Sequence, residues 1–207
     1  MPSSEVIIMS LMAITGTLGQ GKSLSMVFFG AINWLQHGQK VFSNIHVVYE
    51  NPYTDEQMAD LGITKHPIYN DEKSRRYKAV MVEDPEDIET IREGVFLGDE
   101  LWAWMDSRTS GKKSNRIGSK ILLASRKRKY HIFYTCQDLS QMEKRVRIIT
   151  DFEAVPMLLR NKTVCIVDVF QLKYGKRVRF VRRYKFYTAP IFKMYDTNEE
   201  IDIKEFG

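Results

Sequence analysis

The run Val6 to Ile14 is apolar at every position but Ser10 and is rich in β-branched residues and methionine, the pattern of a strand buried on both faces. It stops at Gly16-Thr17-Leu18-Gly19-Gln20-Gly21-Lys22-Ser23, after which Leu24 to Leu35 reads as an apolar helix closed near Gly38. Lys40 to Val48 alternates in part and predicts a second strand. Residues 49–77 are polar, with two prolines, several acids and weak periodicity, and predict an insertion or lid. Ala79 to Val82 predicts a short strand, and Asp84 with Pro85 starts a helix running to about Glu93. Val95 to Gly98 is another short apolar strand that ends at Asp99-Glu100, and a helix with Trp102, Trp104 and Met105 follows. Ser107 to Ser119 reads as a polar, glycine-containing loop, Ile117 to Arg128 as a helix, and Tyr130 to Cys136 as a strand ending at Gln137. Thr163 to Leu172 and Arg177 to Tyr187, joined by Tyr174-Gly175-Lys176, read as a β-hairpin. Strands alternating with helices imply an α/β fold, with a mostly parallel sheet, helices on both faces and the hairpin at one edge.

Composition narrows the class. With 207 residues, 43% of them hydrophobic, the chain can bury a full core, and one domain over 1–195 with an acidic tail at 196–207 accounts for its length. Cys136 and Cys165 lie far apart, which excludes a disulfide scaffold and a cysteine zinc site and suits a reducing cytosol. His37, His46, His66 and His131 show no ligand spacing. The longest uncharged stretch, Ser23 to Gln39, carries Asn33, Gln36, His37 and Gly38, so no membrane segment is expected. The first apolar run lacks the basic leader and cleavage site of a signal peptide.

The net charge of +5 conceals a division along the chain. Residues 47–100 carry a net −8 and residues 101–195 a net +16. Two stretches hold no acid: Ser107 to Gln137, with nine basic residues, and Val169 to Tyr195, with eight interleaved with Tyr174, Phe180, Tyr184, Phe186 and Tyr187. Cations that neutralise phosphates beside rings that stack on bases fit a nucleic-acid surface. A solvated strand face accounts equally well for the second stretch.

The chemistry starts at GTLGQGKS, which meets GxxxxGK[ST] at every defined position and falls between a strand and a helix. Backbone N–H groups of Gly16, Thr17, Leu18, Gly19, Gln20, Gly21, Lys22, Ser23 and Leu24 would cradle a nucleotide phosphate at the helix N-terminus. Lys22 would reach the β- and γ-phosphates, and Ser23 would bind Mg²⁺. Asp99 at the tip of a neighbouring strand would hold the metal and Glu100 would activate water. Glu83-Asp84 is a rival pair, less suited because Asp99-Glu100 runs straight on into a helix. Gln137, an amide at a strand end beside the γ-phosphate, would sense hydrolysis.

Taken together, the P-loop, FLGDELWAW (96–104), SRKRKYHIFYTCQ (125–137) and KRVRIITDF (144–152) resemble the FtsK/HerA group of DNA-translocating ATPases. The resemblance covers about Val6 to Phe152. It is closer to the small genome-packaging ATPases of membrane-containing viruses and to the ATPase part of Zot-like proteins of filamentous phages. The resemblance implies a P-loop NTPase fold of the RecA/FtsK-HerA type and an Mg²⁺-dependent ATPase that moves double-stranded DNA into a preformed capsid. It further implies a homo-oligomeric ring, pentamer or hexamer, in which an arginine of one subunit completes its neighbour's site. Arg126 and Arg128 are the first candidates for that arginine, with Arg145 and Arg147 as others. In such a ring, Arg108, Lys112, Lys113 and Arg116 of the basic loop would hold DNA phosphates irrespective of sequence. Capsid or membrane-vertex proteins are further expected partners, and the host cytoplasm or the procapsid vertex the expected location. Zot-like proteins typically continue into a membrane-spanning segment and a further domain, neither of which is read here, so packaging is expected ahead of phage assembly and export.

Two other classes stay open. A P-loop small-molecule kinase would use residues 107–129 as an arginine-rich lid but has no need of the Asp-Glu pair and the strand-end Gln. A structural protein that binds nucleotide only to assemble would tolerate loss of Glu100. A GTPase is disfavoured, because Asn161-Lys162-Thr163-Val164 lacks the base-reading Asp.

Overall fold

The computed structural model describes residues 11–104 and 130–196. An eight-stranded sheet is built from β1 (Leu11–Thr15), β2 (Val41–Ser43), β5 (Val80–Met81), β6 (Gly94–Gly98), β7 (Tyr130–Cys136), β8 (Phe152–Leu158), β9 (Val164–Lys173) and β10 (Lys176–Tyr187). Its spatial order is β10-β9-β8-β1-β7-β6-β2-β5. The six strands from β8 to β5 run parallel, and β9 and β10 close one edge as the expected antiparallel hairpin.

Alternation along the central strands produces two cores. Met12, Ile14, Val95, Leu97 and Phe133 face one side, with Leu24, Met26, Val27 and Phe29 of helix α1 (Lys22–His37) packed on them. Leu11, Ala13, Phe96, Ile132 and Tyr134 face the other, beneath Ile88, Ile91, Leu101, Met142 and Val146. Every residue of β1 and β6 is buried, which is why both read as continuous apolar runs without period. Helix α1 ends at Gly38, whose N–H donates to the Trp34 carbonyl with φ at 60°.

The second strand is shorter than its pattern suggests. It stops at Ser43 because the Ser43 hydroxyl accepts the Ile45 N–H, turning the chain, and the Asn44 side chain is drawn to Asp99. The chain re-enters a separate ribbon, β3 (Val48–Glu50) against β4 (Arg76–Lys78), with the short helix α2 (Asp55–Asp60) between them, capped by Thr54 and Gln57. This is the segment expected as an insertion or lid. Tyr49 and Tyr77 stack on Trp34, and the Trp34 indole N–H donates to the Ile68 carbonyl. Trp34 lies twelve residues along α1 from Lys22, roughly 18 Å at the helical rise, so the ribbon covers the far end of the helix and not the phosphate loop.

Where two helices were expected after Asp84 and after Glu100, the described residues form the 3₁₀ segments Pro85–Thr90 and Leu101–Trp104. The strand β8 has no sequence signal, for reasons of its Glu153 and Pro156. Pro156 lies past Ala154, the last residue of β8 paired with β1, where the strand has one neighbour only. Helix α3 (Lys144–Ile149) precedes β8, and α4 (Thr188–Phe192) follows β10 and packs on α1. Among the described residues, no helix is long and apolar enough to cross a membrane. The helix expected at Ile117 to Arg128, the basic loop at Ser107 to Ser119 and the tail beyond Asp196 lie outside the described residues.

Candidate functional site

The loop GTLGQGKS joins β1 to α1 at the C-terminal ends of the parallel strands, the end at which open α/β sheets bind ligands. Gly21 is the residue just before α1, at φ 90°, in the left-handed region. An L-residue is strained in that conformation, so glycine is needed where the loop hands over to the helix. Helix α1 has no capping side chain and no acid in its first turn. Its leading N–H groups and partial positive charge are therefore not claimed by a carboxylate of the helix itself. A Cβ on Gly19 would meet nothing within 4 Å, so the outer side of the loop is open. The Gly16 N–H donates to the Gln137 carbonyl, and the Thr17 N–H to the Gln20 side chain.

Asp99 stands at the end of β6, two strands from β1. The Ser23 hydroxyl lies 2.9 Å from both Asp99 carboxylate oxygens, and the Thr135 hydroxyl, from the intervening β7, donates to Asp99 Oδ1 at 2.7 Å. Thr135 Oγ1 also accepts the Glu100 N–H at 2.7 Å. The main chain of Asp99 is clamped by Asn44, whose side-chain amide donates to the Asp99 carbonyl and accepts its N–H. Enclosure pushes the Asp99 carboxyl above its ordinary value, and the Thr135 and Ser23 bonds pull it back. Glu100 is held at φ 46°, in the left-handed region that a non-glycine residue occupies at a cost. Its carboxylate lies 4.0 Å from the Lys22 ammonium, which is buried and donates to the Thr17 carbonyl.

Lys22, Ser23, Asp99 and Glu100 are thus brought together, with Gln137 at the end of β7 touching the loop through its main chain. Glu83 and Asp84 follow β5, four strands from β1, roughly 19 Å at the usual strand spacing. Arg147 packs against Gly175 in the hairpin turn, and Arg145 lies 3.7 Å from Glu143. Arg126, Arg128, Arg108, Lys112, Lys113 and Arg116 lie outside the described residues. Asn44 was not expected from sequence; its only signal is an amide just past the end of a strand.

The donor set fits a small hard cation held together with phosphate. Ser23 and Asp99 offer oxygen at one point, and among the described residues no three His, Cys, Asp or Glu side chains form a metal cage. Mg²⁺ needs no such cage, since it keeps waters and binds one or two protein oxygens beside substrate phosphates. The open glycine loop and the uncapped helix start fit the phosphates themselves.

A family profile described as zonular occludens toxin (Zot) matches residues 10–200. No curated protein sequence matches. Among solved structures, the fold is similar to the N-terminal domain of zonular occludens toxin from Neisseria meningitidis, at 15% identity and TM-score 0.50, covering 91% of this chain and 100% of that one. It is also similar to the genome packaging NTPase from Sulfolobus turreted icosahedral virus 2 in complex with ATP-gammaS, at 11% identity and TM-score 0.50, covering 84% and 97%. A third is the KaiC-like protein from Pyrococcus horikoshii OT3, at 13% identity and TM-score 0.50, covering 89% and 88%. At these identities the likenesses establish the fold: a mostly parallel sheet of the P-loop NTPase type, flanked by helices.

Proposed function

Because the chain belongs to the zonular occludens toxin (Zot) family, we propose that it is an Mg²⁺-dependent ATPase that moves DNA during assembly of a virus particle. The observation that carries this reading is the approach of the Ser23 hydroxyl to both Asp99 oxygens at 2.9 Å, with Glu100 next in sequence and the Lys22 ammonium 4.0 Å from it. In this reading the first-turn N–H groups of α1 and the Lys22 ammonium bind the β- and γ-phosphates of ATP. Ser23 and Asp99 are the residues that would hold Mg²⁺, which when bound neutralises charge on the transferring phosphoryl group. Glu100 orients the attacking water and takes its proton, while Asn44 and Thr135 keep the Asp99-Glu100 turn in place. Gln137 senses loss of the γ-phosphate.

Copies form a ring, pentamer or hexamer, and an arginine from one copy, Arg126 or Arg128, completes the next copy's site, with Arg145 and Arg147 as the other candidates. Duplex DNA is held through its phosphates by Arg108, Lys112, Lys113 and Arg116 and by the exposed cations of β10. The task is packaging of double-stranded DNA into a preformed capsid, at a procapsid vertex in the host cytoplasm. The family match favours a second reading, phage assembly and export, in which the same motor serves extrusion.

The test is ATP hydrolysis with and without duplex DNA, on the wild type and Lys22→Ala. Turnover that DNA raises and Lys22→Ala abolishes is expected. Phosphorylation of a small acceptor with no response to DNA would overturn the motor in favour of a kinase.

A further inference from the structure

Among the described residues, the one buried acid is Glu153, on β8. It is 7% exposed, in the strand that flanks β1 on the side away from Asp99. A carboxylate taken out of water inside a sheet is costly unless its oxygens are met by donors, and here both are. The Thr15 hydroxyl donates to Oε1 at 2.7 Å, and the Arg177 guanidinium forks onto Oε2 at 2.7 Å and Oε1 at 3.0 Å. Arg177 belongs to β10 and lies over the Phe170 ring, 4.6 Å from its centroid. Phe170 sits directly opposite Glu153 in the β8–β9 register, so ring and fork fix the guanidinium together.

We propose that Glu153 is a positioning residue of the nucleotide site, holding the root of the phosphate loop through Thr15 while Arg177 of the edge hairpin holds Glu153. Thr15 is the last residue of β1, and Gly16 begins the loop. The Gly16 N–H is bonded to Gln137 on the β7 side, and the Thr15 hydroxyl to Glu153 on the β8 side. The loop beyond, Thr17 to Gln20, is exposed, so its place in space is set at this root. The three-residue chain also ties the basic hairpin to the loop as one mechanical unit. It rests on the reading of residues 16–24 as a nucleotide loop.

The experiment uses the full chain in five forms: wild type, Thr15→Val, Glu153→Gln, the double variant and Arg177→Lys. Thr15→Val keeps the branched shape and leaves the Glu153–Arg177 fork intact. Two quantities are read, below the melting range of every form: affinity for a fluorescent ATP analogue, and hydrogen exchange over residues 11–24. Thr15→Val and Glu153→Gln should each weaken binding by about ten- to a hundredfold, up to the worth of one hydrogen bond to a charged group. Each should also speed exchange in the loop, with kcat at saturating ATP within a few-fold of wild type. The double variant should lose no more than about the worse single one, and Arg177→Lys should fall between, since a lysine cannot fork. Wild-type affinity and exchange in Thr15→Val would overturn the proposal, and so would single losses that multiply in the double variant. If Glu153→Gln does not fold, Thr15→Val decides alone. If even the wild type binds no analogue while Thr15→Val still speeds loop exchange, the nucleotide reading falls and the positioning of the loop by Glu153 stands.

Discussion

Thr135 is the side chain on which the acidic corner turns, and replacing it with valine tests that corner most directly. Its hydroxyl is fully enclosed, accepts the Glu100 N–H and donates to Asp99. Thr135→Val fills nearly the same volume, so no cavity opens, but it leaves the Glu100 N–H without its acceptor at a cost of about 1–3 kcal/mol. It also deletes a hydrogen bond to the Asp99 carboxylate, worth about 1.5–3 kcal/mol. The expected loss is roughly 3–5 kcal/mol. Thr135→Ser keeps the hydroxyl and loses one methyl group, about 1 kcal/mol. For a chain of this size, where about 1 kcal/mol shifts the melting temperature by roughly 2–4 °C, valine should melt on the order of 10 °C lower and serine only a few degrees. Thermal melts followed by circular dichroism measure both. The Thr135 bond is the larger of two that draw the Asp99 carboxyl down against its enclosure. Without it Asp99 keeps its proton to higher pH, so the acid limb of the hydrolysis profile should move up in the valine variant and stay put in the serine one. Equal melting temperatures for the two variants would mean that the hydroxyl bridges nothing.

Other outcomes follow from the same geometry. Because the folded state raises the Asp99 carboxyl above its ordinary value near 3.8, folding takes up protons in that window and stability falls as pH rises through it. Asp99→Asn should therefore unfold at higher denaturant than the wild type at pH 7 without metal, with the gap closing below pH 4, while ATP hydrolysis is lost. A variant less stable at pH 7 would contradict this. Glu100→Gln should retain bound ATP and stop turnover, read by filter retention of labelled nucleotide; unchanged turnover would shift the role to assembly alone. Gly30→Ala should destabilise α1 although alanine is the better helix former by about 1 kcal/mol. Its Cβ would fall 2.2 Å from the Tyr49 hydroxyl and 2.8 Å from a Leu97 methyl, and overpacking of that kind costs about 1–3 kcal/mol. A higher melting temperature for Gly30→Ala would refute that close approach.

Much of the architecture was legible in the chain because its signals are local. β1 and β6 are buried on both faces and so are written as apolar runs, while α1 is bounded by glycines whose conformations other residues resist. The phosphate loop is legible for the same reason, since its chemistry is main-chain chemistry made possible by neighbouring glycines. β8 was not, because a glutamate and a proline look wrong for a strand until Thr15 and Arg177, from 138 and 24 residues away, are seen to meet the acid. The ribbon at 48–78 looked like a lid because its pattern is polar. Its few large rings, Tyr49 and Tyr77, find their partner in Trp34 on another element.

Residue order alone was enough to place a phosphate loop between a strand and a helix and to put a pair of acids at a strand end, since each depends on residues adjacent in the chain. It favoured Asp99-Glu100 over Glu83-Asp84 only through the residues that follow each pair. The distances of the two pairs from the phosphate loop belong to strand order, which sets β6 two strands from β1 and sends β5 to the sheet edge. Strand order is fixed by how apolar faces share two cores, a property of the whole chain at once. For the same reason Asn44, Thr135 and Glu153 acquire their roles only when the sheet has closed around them.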